Sequence, residues 1–381
     1  MEATGYFDGN ATAPLHEVAR EAWLAANLGH WHNASAPYPK GAAVRIRLDG
    51  VREKLAGKLR CSPDELVFNS GATEGNNHVL SEMARLCPEG KRVVVSSLEH
   101  SSVSGPARKF LGERMQVLPT LPDGRADLAT LSEWLQDGGV YGLSLMAANN
   151  ESGALQPWHD ALQLCLEHGV VFHCDAAQWV GKMPMEGFGS CHFLTASAHK
   201  FGGPKGCGFM KVSQATGGEA LIYGGRQEHG LRAGTEDYPS ASAMVAALEA
   251  SQPAGPASRD NFEAKVRGFL AEVVVLGGDV PRVPQTSLLL MPRHENSRWI
   301  VQLAKRGYSL STGSACSSAK EGGSDALEAM GLPPDDLNRV LRVSGGFWTT
   351  QDDWEGLAAA IKEVWEGLEA EGKTDGVVRI P

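Results

Sequence analysis

The sequence lacks the short motifs that most often mark a metal site, a nucleotide site or a membrane segment. Its seven cysteines form no CxxC pair, and it contains no HExxH, no GxxxxGK[ST] and no GxGxxG after an expected strand. No apolar stretch approaches the ~18 residues that span a bilayer, and the N-terminus has no basic or apolar leader region. An odd number of cysteines also argues against a disulfide framework. We therefore expect a cytoplasmic protein that binds no metal ion.

Positive charge is also scarce. The chain has 35 Lys and Arg against 45 Asp and Glu, a formal net charge of −10, and no basic run offsets the excess of acidic residues. Nucleic acids and anionic membrane surfaces are therefore not expected as primary partners. An apolar share of 42% and a charged share of 21% are ordinary for a folded globular protein, which excludes global disorder.

Short apolar runs alternate with helical patterns over the first 250 residues. The spacing of apolar residues from Leu15 to Ala26 predicts a helix that ends at Gly29. Short apolar runs predict buried strands at 66–69, 92–96, 143–147 and 169–173. This alternation predicts an α/β fold with a mostly parallel sheet and helices on both faces.

The segment 251–258 contains two Pro and a Gly and predicts a linker. A mixed α+β pattern follows it. The chain then ends in a predicted helix, with Thr350 and Asp353 as its capping box. The apolar face of that helix carries Trp354, Leu357, Ile361, Trp365 and Leu368.

Three sets of candidate ligand-binding residues follow predicted strands, and ligands bind at the carboxyl ends of strands in such sheets. The small residues of 70–75 open a helix, and their N–H groups with the Thr73 hydroxyl suit a phosphate, although a simple helix cap would look alike. Asp175 ends a strand and could pair with a protonated ring nitrogen or cap a turn. Lys200 precedes a Gly/Pro turn and could form a Schiff base, or be a solvated loop lysine like Lys205.

The order of these three groups resembles that of pyridoxal phosphate (PLP) enzymes with the aspartate-aminotransferase fold. The resemblance narrows to class V and, within it, to cysteine desulfurases of the iron–sulfur-assembly type. It extends nearly end to end. The matching segments are YFDGNAT at 6–12, SGATE at 70–74, EH at 99–100, NNESG at 149–153, DAAQ at 175–178, SAHK at 197–200, GGRQE at 224–228, RAGT at 232–235, GSACSS at 313–318 and RVS at 342–344.

The resemblance implies a domain organisation and a set of residue roles. A large PLP-binding domain is expected at 15–252, and a smaller α+β domain at 1–14 and 253–381 carries the catalytic cysteine loop. Lys200, Cys316 and His100 are the expected catalytic residues, and His100 also stacks on the cofactor ring. Other expected cofactor ligands are Ala72, Thr73, Ser197 and His199 at the phosphate, Asp175 at the ring nitrogen, Gln178 at the ring hydroxyl and Thr235 from the second subunit of a homodimer.

The resemblance also implies the substrate and the reaction. Asn150 and Arg342 would bind the carboxylate of L-cysteine, Arg342 through a bidentate fork. Lys200 would move a proton from Cα, and the Cys316 thiolate would take the substrate sulfur as a persulfide and release alanine. Arg342 follows Cys316 by 26 positions, as in long-loop members, whose mobile loop can carry sulfur to an acceptor or iron–sulfur scaffold protein.

Two positions depart from the usual family pattern, because Tyr38 stands in place of a His and Gln285 in place of an Asn. They leave the selectivity between cysteine and selenocysteine open. A cysteine or selenocysteine lyase, or an aminotransferase, is the alternative within class V, and a lyase would not need Cys316. A scaffold that has lost catalysis would be expected to lack Lys200, Asp175 or Cys316, and all three are present.

Overall fold

The computed structural model describes residues 3–253, 255–312 and 324–374. Its contacts group into two units. The larger unit consists of 12–150 and 155–253, and the smaller unit takes the described parts of 1–11, 151–154 and 254–381. The short segment 151–154 joins the smaller unit because the N–H of Val283 donates to the carbonyl of Gly153 at 2.8 Å and Ala154 pairs with Arg282. The domain bounds expected from the sequence, 15–252 for the larger domain with 1–14 and 253–381 for the smaller one, stay a prediction.

The larger unit contains a seven-stranded sheet with the strand order β1-β7-β6-β5-β4-β2-β3. β7 runs antiparallel to β1 and β6, and the other neighbours are parallel. The predicted fold class, α/β with a mostly parallel sheet, is confirmed. The strands are β1 (Leu66–Asn69), β2 (Arg92–Ser96), β3 (Met115–Leu118), β4 (Val140–Ser144), β5 (Val171–Asp175), β6 (Phe193–Ser197) and β7 (Gly208–Val212).

The predicted strands at 66–69 and 92–96 are confirmed, whereas two others are displaced. The sequence placed them at 143–147 and 169–173, but β4 ends at Ser144 and β5 begins at Val171. Leu145, Met146 and Ala147 are buried and apolar like strand residues, yet they form the loop after β4. Apolar composition alone cannot separate a buried strand from the buried loop that continues it.

Seven α-helices belong to the described part of the larger unit, and α1 packs against α7. The predicted helix that ends at Gly29 is confirmed as α1. The helices are α1 (Glu17–Gly29), α2 (Pro39–Leu59), α3 (Ala72–Leu86), α4 (Ser101–Leu111), α5 (Leu128–Gln136), α6 (Trp158–Glu167) and α7 (Tyr238–Ala250).

The smaller unit has an antiparallel sheet, β10-β9-β8, and its own apolar core. The predicted terminal helix and its capping box are confirmed, since the N–H of Thr350 donates to Asp353 at 2.8 Å and the N–H of Asp353 donates to the Thr350 hydroxyl at 3.2 Å. Its elements are α8 (Ala257–Phe269), β8 (Val274–Val275), β9 (Thr286–Leu290), α9 (Asn296–Ala304), α10 (Asp325–Ala329), α11 (Pro334–Leu337), β10 (Val340–Ser344) and α12 (Gln351–Thr374). Within the described ranges, no helix has the length and apolar character needed to cross a membrane.

Candidate active site

The predicted site residues of the larger unit follow strands that end at one edge of the sheet. Asp175 is the last residue of β5 and Ser197 the last of β6, while Ala72 opens α3 after β1 and His100 caps α4 after β2. β1, β2, β5 and β6 run in the same direction, so their carboxyl ends lie along the same edge. In open α/β sheets this edge is where ligands bind.

The N-terminus of α3 is held against the end of β6. The N–H of Ala72 donates to Ser197 Oγ at 2.7 Å, and the N–H of Gly71 donates to Asn69 Oδ1 at 2.9 Å. Gly71 has φ of +135°, and a Cβ on Gly208 would lie 2.5 Å from the Cα of Gly71, so both positions require glycine. The result is a close-packed helix N-terminus, whose N–H groups and positive dipole end favour an anion such as phosphate.

Asp175 is 6% exposed and accepts two hydrogen bonds. The N–H of Ala177 donates to Oδ1 at 2.9 Å, and Nδ2 of Asn76 donates to Oδ2 at 2.8 Å. A second carboxyl, Glu99, accepts the N–H of Met146 at 2.6 Å. Burial, followed by the charge of Asp175, raises the pKa of Glu99 well above its usual range.

Lys200 ends a short 3₁₀ turn, Ala198–Lys200, that follows β6 directly and leaves its side chain partly buried. The preceding His199 lies 3.1 Å from the Thr12 hydroxyl through Nδ1. Burial, with smaller effects from the charges of Lys200, Lys205 and Lys182, lowers the pKa of His199 to about 4. His199 is therefore neutral at physiological pH and can donate or accept a single hydrogen bond at each ring nitrogen.

The other predicted cofactor and substrate ligands of the larger unit differ in how deeply they are buried. Gln178 is buried and its Oε1 accepts a hydrogen bond from Lys182 Nζ at 2.7 Å. Asn150 is partly buried in the loop after β4, whereas Thr73 and Thr235 are exposed. An exposed Thr235 is accessible to a second subunit, which is the role that the resemblance implies for it.

Arg342 belongs to the smaller unit, on β10, and is 4% exposed. Its Nη2 donates to Asp8 Oδ1 at 2.8 Å, and its backbone pairs with Ser311. Glu151 accepts the Ser324 hydroxyl at 2.6 Å. Burial raises the pKa of Glu151 to about 7, although the Ser324 hydrogen bond and the charge of Arg342 oppose that increase. The predicted carboxylate-binding arginine is thus buried and ion-paired with Asp8.

Cys316 lies outside the described residues, and the other six cysteines lie within them. Five of these six are buried, and Cys61 is partly buried. Burial is the main cause that raises the pKa of each thiol: to about 11 for Cys61, to about 12 for Cys165, Cys191 and Cys207, and above the usual value for Cys87 and Cys174. None of the six is suited to be a thiolate at neutral pH.

A comparison with protein families finds that residues 5–357 match the model described as aminotransferase class-V. The chain belongs to the class-V aminotransferase family. Relatives within it include the cysteine desulfurase IscS of Dictyoglomus turgidum, 31% identical over 97% of this chain and 96% of that protein. An IscS-like cysteine desulfurase of Mycobacterium tuberculosis is 32% identical over 91% of this chain and 93% of that protein. The predicted family is confirmed.

Solved structures of similar proteins agree with this membership. A NifS-like protein superposes with a TM-score of 0.85 and 25% identity, covering 95% of this chain and 99% of that one. A protein described as SspA in complex with cysteine has a TM-score of 0.81 and 27% identity, covering 91% of this chain and all of that one. Enzymes of the class-V family depend on PLP. That cofactor carries a phosphate group, which suits the N-terminus of α3, and a ring nitrogen, which suits the buried Asp175.

The residues of the larger unit fit PLP in three respects. The α3 N-terminus with Ser197 suits the phosphate, the buried carboxylate of Asp175 suits a protonated ring nitrogen, and Lys200 lies one short turn beyond Ser197. A neutral His199 could add a hydrogen bond to such a phosphate but no positive charge. All three features lie at this edge of the sheet, and each matches an interaction that is common in PLP sites.

Sequence reasoning missed a set of buried polar residues that contact the predicted ones. Asn76 bonds Asp175, and Ser102 lies 2.8 Å from His100 through its hydroxyl. The available signal was helical spacing, because Asn76 lies four residues after Ala72 and therefore on the same face of α3. Its neighbour Asn77 gave the same polar signal in the sequence and is only partly buried.

Proposed function

We propose that this chain is a PLP-dependent cysteine desulfurase. It converts L-cysteine to L-alanine and holds the sulfur as a persulfide on Cys316, for transfer to an acceptor in the assembly of iron–sulfur clusters or other sulfur-containing cofactors. The main support is the conjunction, at one sheet edge, of an anion-binding helix end, a buried Asp175 and Lys200 in a chain whose family members named above are cysteine desulfurases.

The larger unit would hold the cofactor. Ala72, Thr73, Ser197 and His199 would bind the phosphate, Asp175 the ring nitrogen, Gln178 the ring hydroxyl, and His100 would stack on the ring. Lys200 would attach to PLP covalently. When bound, PLP withdraws electrons from the Cα of an attached amino acid. Lys200, released by the incoming substrate, would then accept and return the proton at that carbon.

Substrate recognition would involve the smaller unit. The guanidinium of Arg342 offers a planar pair of donors that matches a carboxylate, and Asp8 Oδ1 at 2.8 Å from Nη2 fixes the orientation of the group. Asn150 would add a second donor to the same carboxylate. Because Arg342 is buried and already oriented by Asp8, its guanidinium would meet a substrate carboxylate in a fixed geometry.

Cys316 is proposed as the sulfur acceptor for two reasons. Burial disfavours the thiolate at each of the six described cysteines. Cys316 lies five positions after Ser311, whose backbone pairs with Arg342, and five residues of extended chain span at most about 18 Å. Cys316 is thus covalently tethered within reach of a substrate bound at Arg342.

The transfer step is balanced without an external oxidant. The Cys316 thiolate attacks the substrate Sγ, an S–S bond forms and the Cβ–Sγ bond breaks. The electron pair of the broken bond stays with the carbon fragment, and Cβ takes a proton to give the methyl group of alanine. The sulfur leaves the active site as the outer atom of the Cys316 persulfide.

A homodimer in the cytoplasm is the proposed working form. α1 and the loop after it expose large apolar side chains, with Leu28 83% and Trp31 68% accessible, as expected of a surface that another chain covers. The exposed Thr235 would reach the phosphate site of the second subunit. A sulfur-acceptor protein or iron–sulfur scaffold is the proposed partner in the next step.

The direct test measures alanine formed from L-cysteine by wild type, Cys316→Ser and the matched control Cys61→Ser. We expect Cys316→Ser to lose at least about a hundredfold in rate, as removal of a participating group does, while L-cysteine still changes the cofactor spectrum. Cys61→Ser should keep the wild-type rate. Wild-type rates of alanine formation in Cys316→Ser would contradict the proposal, and continued sulfide release by that variant would indicate a lyase.

A further inference from the structure

A buried chain of hydrogen bonds leads to Asp175 from the interior of the larger unit. Ser144 Oγ lies 2.9 Å from His173 Nδ1, and His173 Nε2 lies 3.4 Å from Thr195 Oγ1. Thr195 Oγ1 lies 2.6 Å from Asn76 Oδ1, and Asn76 Nδ2 lies 2.8 Å from Asp175 Oδ2. Ser144, His173, Thr195 and Asn76 are each 0% exposed, so their polar atoms must be satisfied within the protein.

The direction of each donor in this chain is fixed by its acceptor. An ionised Asp175 can only accept, so Asn76 presents its amide nitrogen to the carboxylate and its oxygen to Thr195. Thr195 has a single hydroxyl proton and gives it to Asn76, so it accepts from His173 Nε2. His173 Nδ1 then accepts from Ser144. Nδ1 can accept a hydrogen bond only while the ring is neutral, and burial lowers the pKa of His173 to about 4.

Asn76 also begins a second branch, which ends at His100. Its amide nitrogen lies 2.9 Å from Ser102 Oγ, so Ser102 accepts that donor and gives its own proton to His100 Nδ1 at 2.8 Å. The backbone N–H of Ser102 donates to the same Nδ1 at 3.2 Å. His100 Nδ1 is therefore an acceptor, and a neutral His100 carries its proton on Nε2.

We propose that Asn76 is a positioning residue that orients Asp175 and His100 together. Its one amide group donates to both branches, and Thr195 fixes the orientation of that amide. The inference rests on the proposed function, because it concerns the two residues assigned to the PLP ring. Loss of Asn76 would leave Asp175 with one donor fewer and would disconnect it from His100, so both ring contacts would weaken at once.

The test measures the PLP dissociation constant by equilibrium dialysis and the visible circular dichroism of bound PLP in Asn76→Ala and Asn77→Ala. Asn77 is the matched control, since its Nδ2 donates to the Thr73 carbonyl at 2.8 Å within the same helix. We expect a dissociation constant about tenfold higher or more for Asn76→Ala, the usual cost of a lost bond to a charged group, with a weaker dichroic band. Asn77→Ala should resemble wild type.

A second pair separates positioning from packing. Thr195→Val keeps the side-chain volume and removes the donor to Asn76, whereas Thr195→Ser keeps the donor and removes a methyl group. We expect weaker PLP binding and a weaker dichroic band in the Val variant, and recovery of both in the Ser variant. This pair decides the outcome if Asn76→Ala does not fold.

Two results would overturn the inference: equal PLP binding by Asn76→Ala and Asn77→Ala, or equal impairment of Thr195→Val and Thr195→Ser. Failure of the proposed function would look different. In that case wild type would bind no PLP, or would bind it and form no alanine from L-cysteine.

Discussion

Asp175 in the larger unit and Arg342 in the smaller unit are buried charges of opposite sign with different kinds of partner. In the larger unit, Asp175 accepts hydrogen bonds from the neutral donors of Asn76 and Ala177, and burial together with the charge of Asp175 raises the pKa of Glu99. In the smaller unit, Arg342 is a buried cation that donates to the carboxylate of Asp8. A buried charge is costly unless it is paired or hydrogen-bonded, and each of these two has such a partner within its own unit.

Under the proposed function, this difference would separate two binding tasks. A protonated ring nitrogen complements the anion of the larger unit, and an amino-acid carboxylate complements the cation of the smaller unit. Changes around Asp175 should therefore affect the cofactor and the chemical step, whereas changes around Arg342 should affect the apparent affinity for substrate.

The largest effect is expected at the lysine beyond Ser197. Lys200→Ala should reduce alanine formation by about ten-thousandfold, because it removes both the covalent attachment of PLP and the base at Cα. Lys205→Ala is the matched control and should keep activity. Borohydride reduction followed by peptide mapping should place PLP on Lys200, and label on Lys205 or another lysine would refute the assignment.

A smaller loss is expected when the anion of the larger unit is removed. Asp175→Ala should lower kcat by about a hundredfold or more, since one preorganised electrostatic contact at a reacting centre typically contributes about 3 kcal/mol. Steady-state kinetics with saturating PLP would measure this. A near-normal kcat would show that the buried carboxylate does not support the chemistry.

The smaller unit should respond mainly in KM. Asp8→Asn keeps the shape of the side chain but removes the charge that holds the Arg342 guanidinium, so KM for L-cysteine should rise about tenfold while kcat changes less. Arg342→Lys should raise KM further, because lysine lacks the planar fork. A loss confined to kcat in Asp8→Asn would remove the distinction between the two sites.

The smallest effect concerns stability and pH. Burial raises the pKa of Glu151 from 4.5 to about 7, so the folded state binds this proton more tightly than the unfolded state does. The resulting stabilisation is complete below about pH 4.5 and is lost as the pH rises through 7. Relative to Glu151→Gln, wild type should lose up to about 3 kcal/mol over that range.

Urea unfolding of both proteins at several pH values would measure this difference. A constant difference between wild type and Glu151→Gln from pH 4.5 to 7.5 would contradict the raised pKa. Arg342 and Ser324 both favour the charged form of Glu151, so the measured change should fall below the limit set by burial alone.

Much of the fold could be predicted from the sequence because each unit has a strong local pattern. The helix ending at Gly29 and the capping box of Thr350 and Asp353 depend on nearby residues, and both are confirmed. The predicted end of β4 was wrong, because the burial of the residues after Ser144 depends on the rest of the sheet. The pairing of Gly153 with Val283 joins positions 130 apart and has no local signal.

The residues of the candidate site could likewise be predicted only in part from the sequence. Asp175 and Lys200 could be selected because strand ends and small-residue turns mark where ligands approach a sheet. Asn76 could not be distinguished from Asn77, since only the packing of α3 on β5 and β6 shows which of the two is buried. The roles of the site residues, including that of Cys316, stay predictions that the experiments above address.

The central claim is that the substrate sulfur is transferred to Cys316. The most direct measurement is peptide mass spectrometry of the PLP-loaded protein after brief exposure to L-cysteine, with alkylation to trap persulfides. The account predicts one added sulfur on the peptide that contains Cys316, and none on the peptides that contain Cys61 or the five buried cysteines. Added sulfur on another cysteine, or none on Cys316 while alanine is formed, would contradict it.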